Sequence, residues 1–363
     1  MLPAAYAVLN LEAVQHNLAK VRQYAPQAKV MAIMKANAYG HGLLRIAEQL
    51  PNADAFAVAR LDEGIILRKA GFTQRIVILG GFTCKEELDQ LLLLDLDVVI
   101  HNFDQILILN NNIVQRSLNV WLKCDTGMNR LGFKSTEINK AYQLLTTCPM
   151  VRQPINLMTH LANADNREDD KTLKQIRTFK QMTGHFSGEC SIANSAGILG
   201  WHESLTNWVR PGIMLYGISP FSELTGHQLG LRPVMSLHSR LIATKNLEKG
   251  ETVGYASRWI CETPTRFGVV AIGYGDGYPR YAKTGTPVLV NGQRVPLIGR
   301  VSMDMITVDL ASQPQAKAGD PVELWGNELP VEEIANCADT IPYTLLCGIT
   351  QRVQIVEQNP LIV

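Results

Sequence analysis

The chain has 363 residues, of which 46% are hydrophobic and 18% are charged. This ordinary globular composition excludes intrinsic disorder, collagen and coiled coil, and the length is typical of two domains. The 34 basic and 33 acidic side chains nearly cancel. A nucleic-acid partner or a polybasic membrane patch would need an excess of positive charge, so we expect neither. A small-molecule substrate is the better expectation.

The cysteines and the apolar runs indicate the compartment. Seven cysteines without a C-x-x-C pair fit neither a disulfide framework nor a zinc site, so we expect no metal and a reducing cytoplasm. The first residues lack the basic segment and apolar run of a secretory leader. The longest apolar stretch, around residues 91–100, is interrupted by Asp95 and Asp97. We therefore expect no membrane span.

In chain order, the first part of the sequence alternates between two patterns. Short apolar or β-branched runs occur at residues 30–34, 55–59, 76–79, 98–100, 120–122, 155–158, 190–193 and 208–209. Stretches with helical spacing lie between them, for example at 43–50, 61–70, 138–145 and 172–182. This alternation predicts βαβ units around a parallel sheet. Eight units in about 230 residues favour a (β/α)₈ barrel, although a doubly wound open sheet gives a similar pattern.

The pattern changes after Pro220. Strand-like runs follow at residues 231–241, 266–272, 287–290, 295–297, 307–310 and 322–325. The pair Asn291-Gly292 is a strong hairpin signal, and only residues 331–338 are typical of a helix. We therefore predict a (β/α)₈ barrel over residues 1–228 and a mostly β C-terminal domain over residues 229–363.

Barrel enzymes build their sites at the carboxyl ends of the strands. The residues that follow the first, fifth, sixth, seventh and eighth runs are Lys35, Lys123, His160, Asn194 with Ser195, and Arg210. A lysine at the end of a buried strand is unusual, because an ammonium ion is costly to bury unless it is paired or deprotonated. The ordinary alternative is a solvated lysine at the start of a loop.

Lys35 is followed by a small, glycine-bearing turn, residues 36–42 (ANAYGHG), which would let a ligand approach the backbone. A desolvated lysine forms Schiff bases, and pyridoxal phosphate is the usual cofactor for that chemistry. Its phosphate group would fit a helix N-terminus. Asn194, Ser195 and Gly212, after the seventh and eighth runs, are candidates for that position.

Residues 31–42 (MAIMKANAYGHG) resemble the cofactor-lysine signature of the alanine racemase family, which are fold-type III pyridoxal phosphate enzymes. Further segments resemble family blocks in the family's order. They are residues 122–132, 158–165, 193–196, 209–217, 254–255, 273–280 and 299–309. Together they span nearly the whole chain, including the predicted β domain.

The resemblance implies a role for each matching residue. Lys35 would hold the cofactor covalently and act as the base for D-alanine, and Tyr255 would be the base for L-alanine on the opposite face. Arg130 and the backbone at Met303 would bind the substrate carboxylate. The phosphate would be held by Tyr39, Asn194, Ser195, Gly212, Ile213 and Tyr343.

Supporting roles follow from the same resemblance. Arg210 would face the pyridine nitrogen, with His160 between Arg210 and Tyr255. The resemblance leaves open whether Lys123 is carbamylated, which would give it a carboxylate that orients Arg130. Asp304 and Tyr274 lie in two of the matching blocks and are expected to support the site. His41 has no implied role, since capping a turn would explain it equally well.

The chemistry agrees with these roles. Racemisation removes an α-proton from one face and returns one to the other, so two bases are needed. A free tyrosine titrates near pH ~10, so Tyr255 needs nearby positive charge, which the His160–Arg210 pair would supply. Taken alone, a tyrosine is more often a core or rim aromatic. Arginine is a poor proton donor, so the pyridine nitrogen would stay neutral.

The expected function is the interconversion of L- and D-alanine by two bases, supplying D-alanine for peptidoglycan. A serine or broad-specificity racemase would share every catalytic residue and is the alternative. A fold-type III decarboxylase would place a carboxylate and a cysteine where this chain has Arg210 and Tyr255. A single-barrel binding protein would lack the second domain. In the family, a head-to-tail homodimer supplies Tyr255 and Met303 to the partner's barrel, so we expect an obligate homodimer.

Overall fold

The computed structural model describes residues 4–112 and 116–358. The strands over these residues are β1 (Tyr6–Leu9), β2 (Lys29–Ile33), β3 (Ala55–Val58), β4 (Arg75–Ile78), β5 (Asp97–Ile100), β6 (Val120–Lys123), β7 (Asn156–Met158), β8 (Cys190–Ser191), β9 (Trp208–Val209), β10 (Met235–Leu247), β11 (Thr252–Val253), β12 (Trp259–Ile260), β13 (Thr265–Val270), β14 (Pro287–Val290), β15 (Gln293–Ile298), β16 (Ile306–Asp309), β17 (Pro321–Trp325) and β18 (Gln354–Glu357).

The right-handed α-helices have between 6 and 14 residues. They are Leu11–Tyr24, Leu43–Glu48, Leu61–Lys69, Lys85–Leu93, Phe103–Asn111, Ile138–Thr146, Lys171–Thr183, Ser195–Gly200, Val331–Cys337 and Pro342–Cys347. Within the described ranges, no helix is long and apolar enough to cross a membrane.

The chain divides into two compact units. The first, which we call the barrel unit, comprises Asn17–Ala38 and Gly42–Leu215. The second, which we call the β unit, comprises the chain through His16, the segment Tyr39–His41 and the chain from Tyr216 onward.

The barrel unit is a closed parallel barrel of β2 to β9. Each strand pairs with the next, and β9 returns to β2 through the pairs Lys29↔Trp208 and Val30↔Val209. This closure confirms the predicted (β/α)₈ barrel and rules out the open sheet. The four helical stretches predicted between the strands are also confirmed. The short strands are almost wholly buried, which is why they read as continuous apolar runs.

Charged side chains at the amino ends of the barrel strands are paired. Arg75 donates from Nε to Asp97 Oδ2 at 2.9 Å, and Asn119 donates to the other Asp97 oxygen at 2.9 Å. Lys29 donates to Glu189 at 2.6 Å. The side chain of Asp97 is almost fully buried, and this burial raises its pKa, while Arg75 and Asn119 act in the opposite direction. This end of the barrel is therefore neutralised by local ion pairs and hydrogen bonds.

The β unit is built on one mixed sheet. Its strands lie in the order β13-β16-β15-β14-β17-β10-β1-β18, and β10 also pairs with β13, so six strands form a ring. The long strand β10 achieves this with a register shift between Leu241 and Ala243. The Asn291-Gly292 turn joins β14 to β15 with φ values of 50° and 76°. Positive φ at both positions is the conformation for which that pair was predicted.

Strand β1 and the helix Pro342–Cys347 are among the elements of the β unit that were not predicted. Strand β1 lies between β10 and β18 rather than in the barrel; four residues before a helix are too short to show a period. The prediction that only residues 331–338 form a helix in this part is wrong, because Pro342–Cys347 is helical too. Pro342 stands in the first turn of that helix, where its fixed φ is favourable. Six residues carry little helical periodicity.

Candidate active site

Lys35 lies two residues beyond the end of β2 and is exposed. The four residues after it, Ala36 to Tyr39, all adopt left-handed conformations with φ of 53–54°. Asn37 fixes the turn, since its carbonyl accepts from Gly42 N at 3.0 Å and its Oδ1 accepts from Leu43 N at 2.8 Å. A left-handed turn costs non-glycine residues about 1–2 kcal/mol each. Such strain is typical of functional sites.

Lys123 ends β6 at the same end of the barrel and is half-buried. Burial, and then the positive charges of Arg210, Arg130 and Lys35, together lower the pKa of Lys123 to about 8, while Asp125 acts in the opposite direction. Arg130 is exposed and follows a loop shaped by Asp125, whose Oδ1 accepts from Gly127 N and Asn129 N at 3.0 Å. Within the described residues, neither Lys123 nor Arg130 has a carboxylate within 4 Å.

Arg210 follows β9 and is buried. Its guanidinium donates to Ser191 Oγ at 2.6 Å, to the Thr159 carbonyl at 2.5 Å and to the Ile192 carbonyl at 3.2 Å. All three acceptors are neutral. Burial lowers the pKa of Arg210 to about 10, so the group is still charged at neutral pH.

His160 follows β7, and its Nδ1 lies 3.4 Å from Arg210 Nη2. Burial, and then the positive charge of Arg210, lower the pKa of His160 well below its usual value. The imidazole is therefore neutral at physiological pH. This corrects the expectation that His160 and Arg210 together supply positive charge, because only Arg210 carries it.

Asn194 and Ser195 begin the short helix Ser195–Gly200 at the carboxyl end of β8. Asn194 Oδ1 caps the helix by accepting from Gly197 N at 2.9 Å. The buried Ser195 Oγ accepts from Gly212 N at 2.9 Å and from Met214 N at 3.3 Å, on either side of Ile213. These contacts leave the Ser195 hydroxyl hydrogen as a donor. Nine of the candidate residues thus lie at the carboxyl ends of barrel strands or in the loops that follow them. They are Lys35, Lys123, Arg130, His160, Asn194, Ser195, Arg210, Gly212 and Ile213.

In the β unit, Tyr39 packs against two other tyrosines. Its ring centroid lies 4.7 Å from that of Tyr216 and 5.8 Å from that of Tyr343. Burial, and then Tyr343, raise the pKa of Tyr39, so its phenol stays protonated and can donate a hydrogen bond. His41 is fully buried, with Nδ1 2.9 Å from the Tyr39 carbonyl, which agrees with a role in the turn.

The other β-unit candidates lie on exposed loops. Tyr255 is 65% exposed in the turn between β11 and β12, where Ala256 and Ser257 have positive φ. Met303 is 52% exposed, and Asp304 beside it is exposed too. The partly exposed ring of Tyr274 lies under the Arg280 guanidinium at 5.7 Å. Arg352 was not predicted from the sequence, because it lies in no distinctive motif. It forms ion pairs with both Asp276 and Asp304.

Two structural facts bear on other chemistries. Among residues 4–112 and 116–358, no group of three His, Cys, Asp or Glu side chains is placed to hold a metal ion. All seven cysteines are free thiols.

Two family models match the chain. The model described as the alanine racemase N-terminal domain matches residues 9–220, and that of the alanine racemase C-terminal domain matches residues 234–357. Among curated relatives, the alanine racemase of Nitrosococcus oceani is 50% identical and covers 96% of this chain and 97% of its own length. The biosynthetic alanine racemase of Escherichia coli O6:H1 is 48% identical and covers 97% and 98%.

Solved structures agree with these matches. The biosynthetic alanine racemase of Pseudomonas aeruginosa has a TM-score of 0.96 and 43% identity, covering 99% of this chain and all of its own. The alanine racemase of Bartonella henselae, described with covalently bound pyridoxal phosphate, has a TM-score of 0.89 and 28% identity, covering 98% and 100%. The chain therefore belongs to the alanine racemase family, whose members are isomerases that depend on pyridoxal 5′-phosphate.

Proposed function

We propose that this protein interconverts L- and D-alanine, with Lys35 and Tyr255 as the two bases. The observation that carries the proposal is Lys35 after β2, at the barrel end that also holds Lys123, Arg130 and Arg210. Within the described chain, the last three have no carboxylate within 4 Å. A lysine that can bind a cofactor covalently lies here beside cations without counter-charges. Such a group of cations would attract a substrate and a cofactor that are both anionic. The relatives favour alanine over serine or a broad substrate set.

The residues present fit pyridoxal phosphate. Its aldehyde needs an amine, which Lys35 offers at a strand end. Its phosphate needs hydrogen-bond donors, which the buried Ser195 hydroxyl and the protonated Tyr39 phenol offer. When bound, the cofactor withdraws electrons and so acidifies the α-proton of the amino acid. We assign its phosphate to Tyr39, Asn194, Ser195, Gly212, Ile213 and Tyr343.

Lys35 and Tyr255 would move the proton. On one face the Lys35 amine takes or returns the α-proton of D-alanine, and on the other face the Tyr255 phenolate does so for L-alanine. Because each base serves one face, the substrate need not rotate. Both groups must come within about 3–3.5 Å of the substrate carbon.

Arg210 would face the pyridine nitrogen. Its contacts with neutral acceptors fix the guanidinium without cancelling its charge. Since arginine gives up its proton reluctantly, the nitrogen stays unprotonated. The neutral His160 beside it would serve as a hydrogen-bonding link towards Tyr255 rather than as a second cation.

Lys123 and Arg130 would handle the substrate carboxylate. A pKa of about 8 leaves part of the Lys123 amine neutral at physiological pH. A neutral amine adds to CO₂, forming an N–C bond and releasing one proton, and the product is a carbamate. We propose that this carbamate supplies the negative charge that the cluster lacks and orients Arg130. Arg130 and the Met303 backbone then bind the carboxylate of alanine, supported by Asp304 and Tyr274.

We also propose a homodimer with shared sites. The exposed side chains of Tyr255, Met303, Tyr281 and Met305 lie on loops of the β unit, at 65%, 52%, 81% and 43% exposure. Aromatic and methionine side chains are enriched at interfaces between proteins. A second copy of the chain is the proposed occupant, so that each barrel receives Tyr255 and Met303 from its partner.

The seven free thiols support a reducing compartment, and we propose that the protein works in the cytoplasm and supplies D-alanine for peptidoglycan.

The direct test of the proposed function is a coupled assay for D-alanine formed from L-alanine. Borohydride reduction followed by peptide mapping should place the cofactor on Lys35. No D-alanine from cofactor-loaded protein, or a label on another lysine, would contradict it.

A further inference from the structure

Arg352, just before β18, joins two loops of the β unit. Its Nη2 donates to Asp304 Oδ1 at 2.7 Å, and its Nε lies 3.2 Å from Asp276 Oδ1. Asp276 is buried, and its second oxygen accepts from Gly273 N at 2.9 Å. One planar guanidinium therefore holds carboxylates from the loop that carries Tyr274 and from the loop that carries Met303.

The same two loops are also joined through their backbones. Tyr274 N donates to the Ser302 carbonyl at 3.0 Å, and Gly275 N donates to the Met303 carbonyl at 2.8 Å. A Cβ on Gly273 would lie 2.3 Å from the Ser302 carbonyl oxygen, so only glycine permits this approach. The loops are thus held at a fixed separation, with the Met303 carbonyl already used.

The segment that carries Arg352 is fixed to the first loop independently. Thr350 donates from Oγ to the Gly275 carbonyl at 2.9 Å and from N to the Asp276 carbonyl at 3.2 Å. A Cβ on Gly275 would come within 2.6 Å of Arg352 Nη1. The guanidinium therefore packs directly over the backbone of Gly275, and that backbone also contacts Met303.

We infer that Arg352 is a positioning residue for the substrate carboxylate. Through Asp304 and Asp276 it holds the Met303 loop so that the Met303 N–H keeps its direction when the carboxylate binds. Over the described residues, no protein group accepts from that N–H, so it is available to a ligand. The inference rests on the proposed function, in which the Met303 backbone binds this carboxylate.

A purely structural role is the alternative. The Arg352 and Asp304 side chains are about half exposed, at 51% and 54%, and exposed ion pairs contribute little to folding stability. A structural role therefore predicts a small change in melting temperature and an unchanged KM. A positioning role predicts weaker binding of carboxylates, whether or not they react.

The test is steady-state racemisation by Arg352→Gln, together with inhibition by acetate, a carboxylate that lacks the amino group. We expect KM for L-alanine and the inhibition constant of acetate to rise together by about tenfold, with kcat within about twofold, because lost binding is common to ground and transition states. Arg352→Lys should fall between wild type and Arg352→Gln, since an ammonium lacks the planar fork.

The matched control is Arg294→Gln. Arg294 forms a two-point ion pair with Glu333 in the same unit at 2.7 and 3.0 Å, with comparable exposure, and lies in β15. Its loss should leave both constants unchanged. Asp304→Asn should match Arg352→Gln, and the double variant should be no worse than either single one.

Wild-type KM and acetate inhibition in Arg352→Gln, or equal effects in Arg294→Gln, would overturn the inference. If Arg352→Gln does not fold, Arg352→Lys and Asp304→Asn decide in the same assays. If wild-type protein loaded with cofactor does not racemise alanine, the proposed function fails instead, and the two failures are distinguishable.

Discussion

The two ends of the barrel use charge in opposite ways. At the amino ends of the strands, Arg75 and Lys29 each meet a carboxylate within 3 Å. At the carboxyl ends, Arg210 meets only neutral acceptors, and burial together with neighbouring cations lowers the pKa of Lys123. Paired charges neutralise one another, whereas an uncompensated cluster attracts anions. We therefore expect the carboxyl ends of the strands to bind the anionic substrate and cofactor, and the amino ends to have no part in binding.

The largest expected effect is at Lys35, beyond the carboxyl end of β2, and Lys29, the first residue of that strand, provides the comparison. Lys35→Ala should abolish racemisation, because it removes both the covalent anchor and one base. Lys29→Ala, six residues earlier at the other end of the same strand, removes an ion pair with Glu189 and a contact with the Trp208 ring, and should leave kcat/KM unchanged. The coupled D-alanine assay on both purified variants makes the comparison. Activity retained by Lys35→Ala, or lost from Lys29→Ala, would argue against the division between the two ends.

An intermediate effect is expected at Lys123. The neutral fraction of this amine grows as pH rises through about 8, so labelling by isotopic bicarbonate should increase from about pH 7 to about pH 9. NMR of the labelled protein should show a carbamate signal that Lys123→Ala lacks. The same variant should raise KM for alanine by about tenfold, through loss of Arg130 orientation. An absent signal in wild type at the higher pH would exclude the carbamate.

The smallest effect on activity is expected at the amino end. Asp97→Asn keeps the shape of the side chain but removes the charge that faces Arg75, which is about one-third exposed. We expect a loss of about 1–2 kcal/mol in the free energy of unfolding, with unchanged kcat/KM. Denaturant unfolding and the racemase assay measure the two quantities separately. A large loss of kcat/KM at native-like stability would mean that this end also serves the reaction.

Much of the barrel could be predicted because its strands are short, apolar and separated by amphipathic helices. The residues after the strands then indicated a candidate site, since the closed barrel brings all carboxyl ends to one side. Lys35, His160 and Arg210 were found in this way. Side-chain periodicity could not predict that β1 belongs to the sheet of the β unit. Its partners, β10 and β18, are far away in the sequence and leave no local signal.

Other features depend on three-dimensional surroundings. The left-handed turn at Ala36 to Tyr39 uses four non-glycine residues, so composition gives no sign of it. The neutral state of His160 depends on burial and on Arg210, and neither is visible in a motif. Arg352 meets Asp276 and Asp304 only after three distant segments fold together.

The central claim is that one site joins Lys35 of one chain to Tyr255 of its partner, and complementation tests it most directly. Lys35→Ala chains and Tyr255→Ala chains, each inactive alone, are unfolded together and refolded as a mixture. In a mixed dimer, one site carries both substitutions and the other keeps native Lys35 and native Tyr255. We predict that D-alanine formation reappears in the mixture. If mixed dimers form and the mixture stays inactive, both bases come from one chain and the claim is wrong.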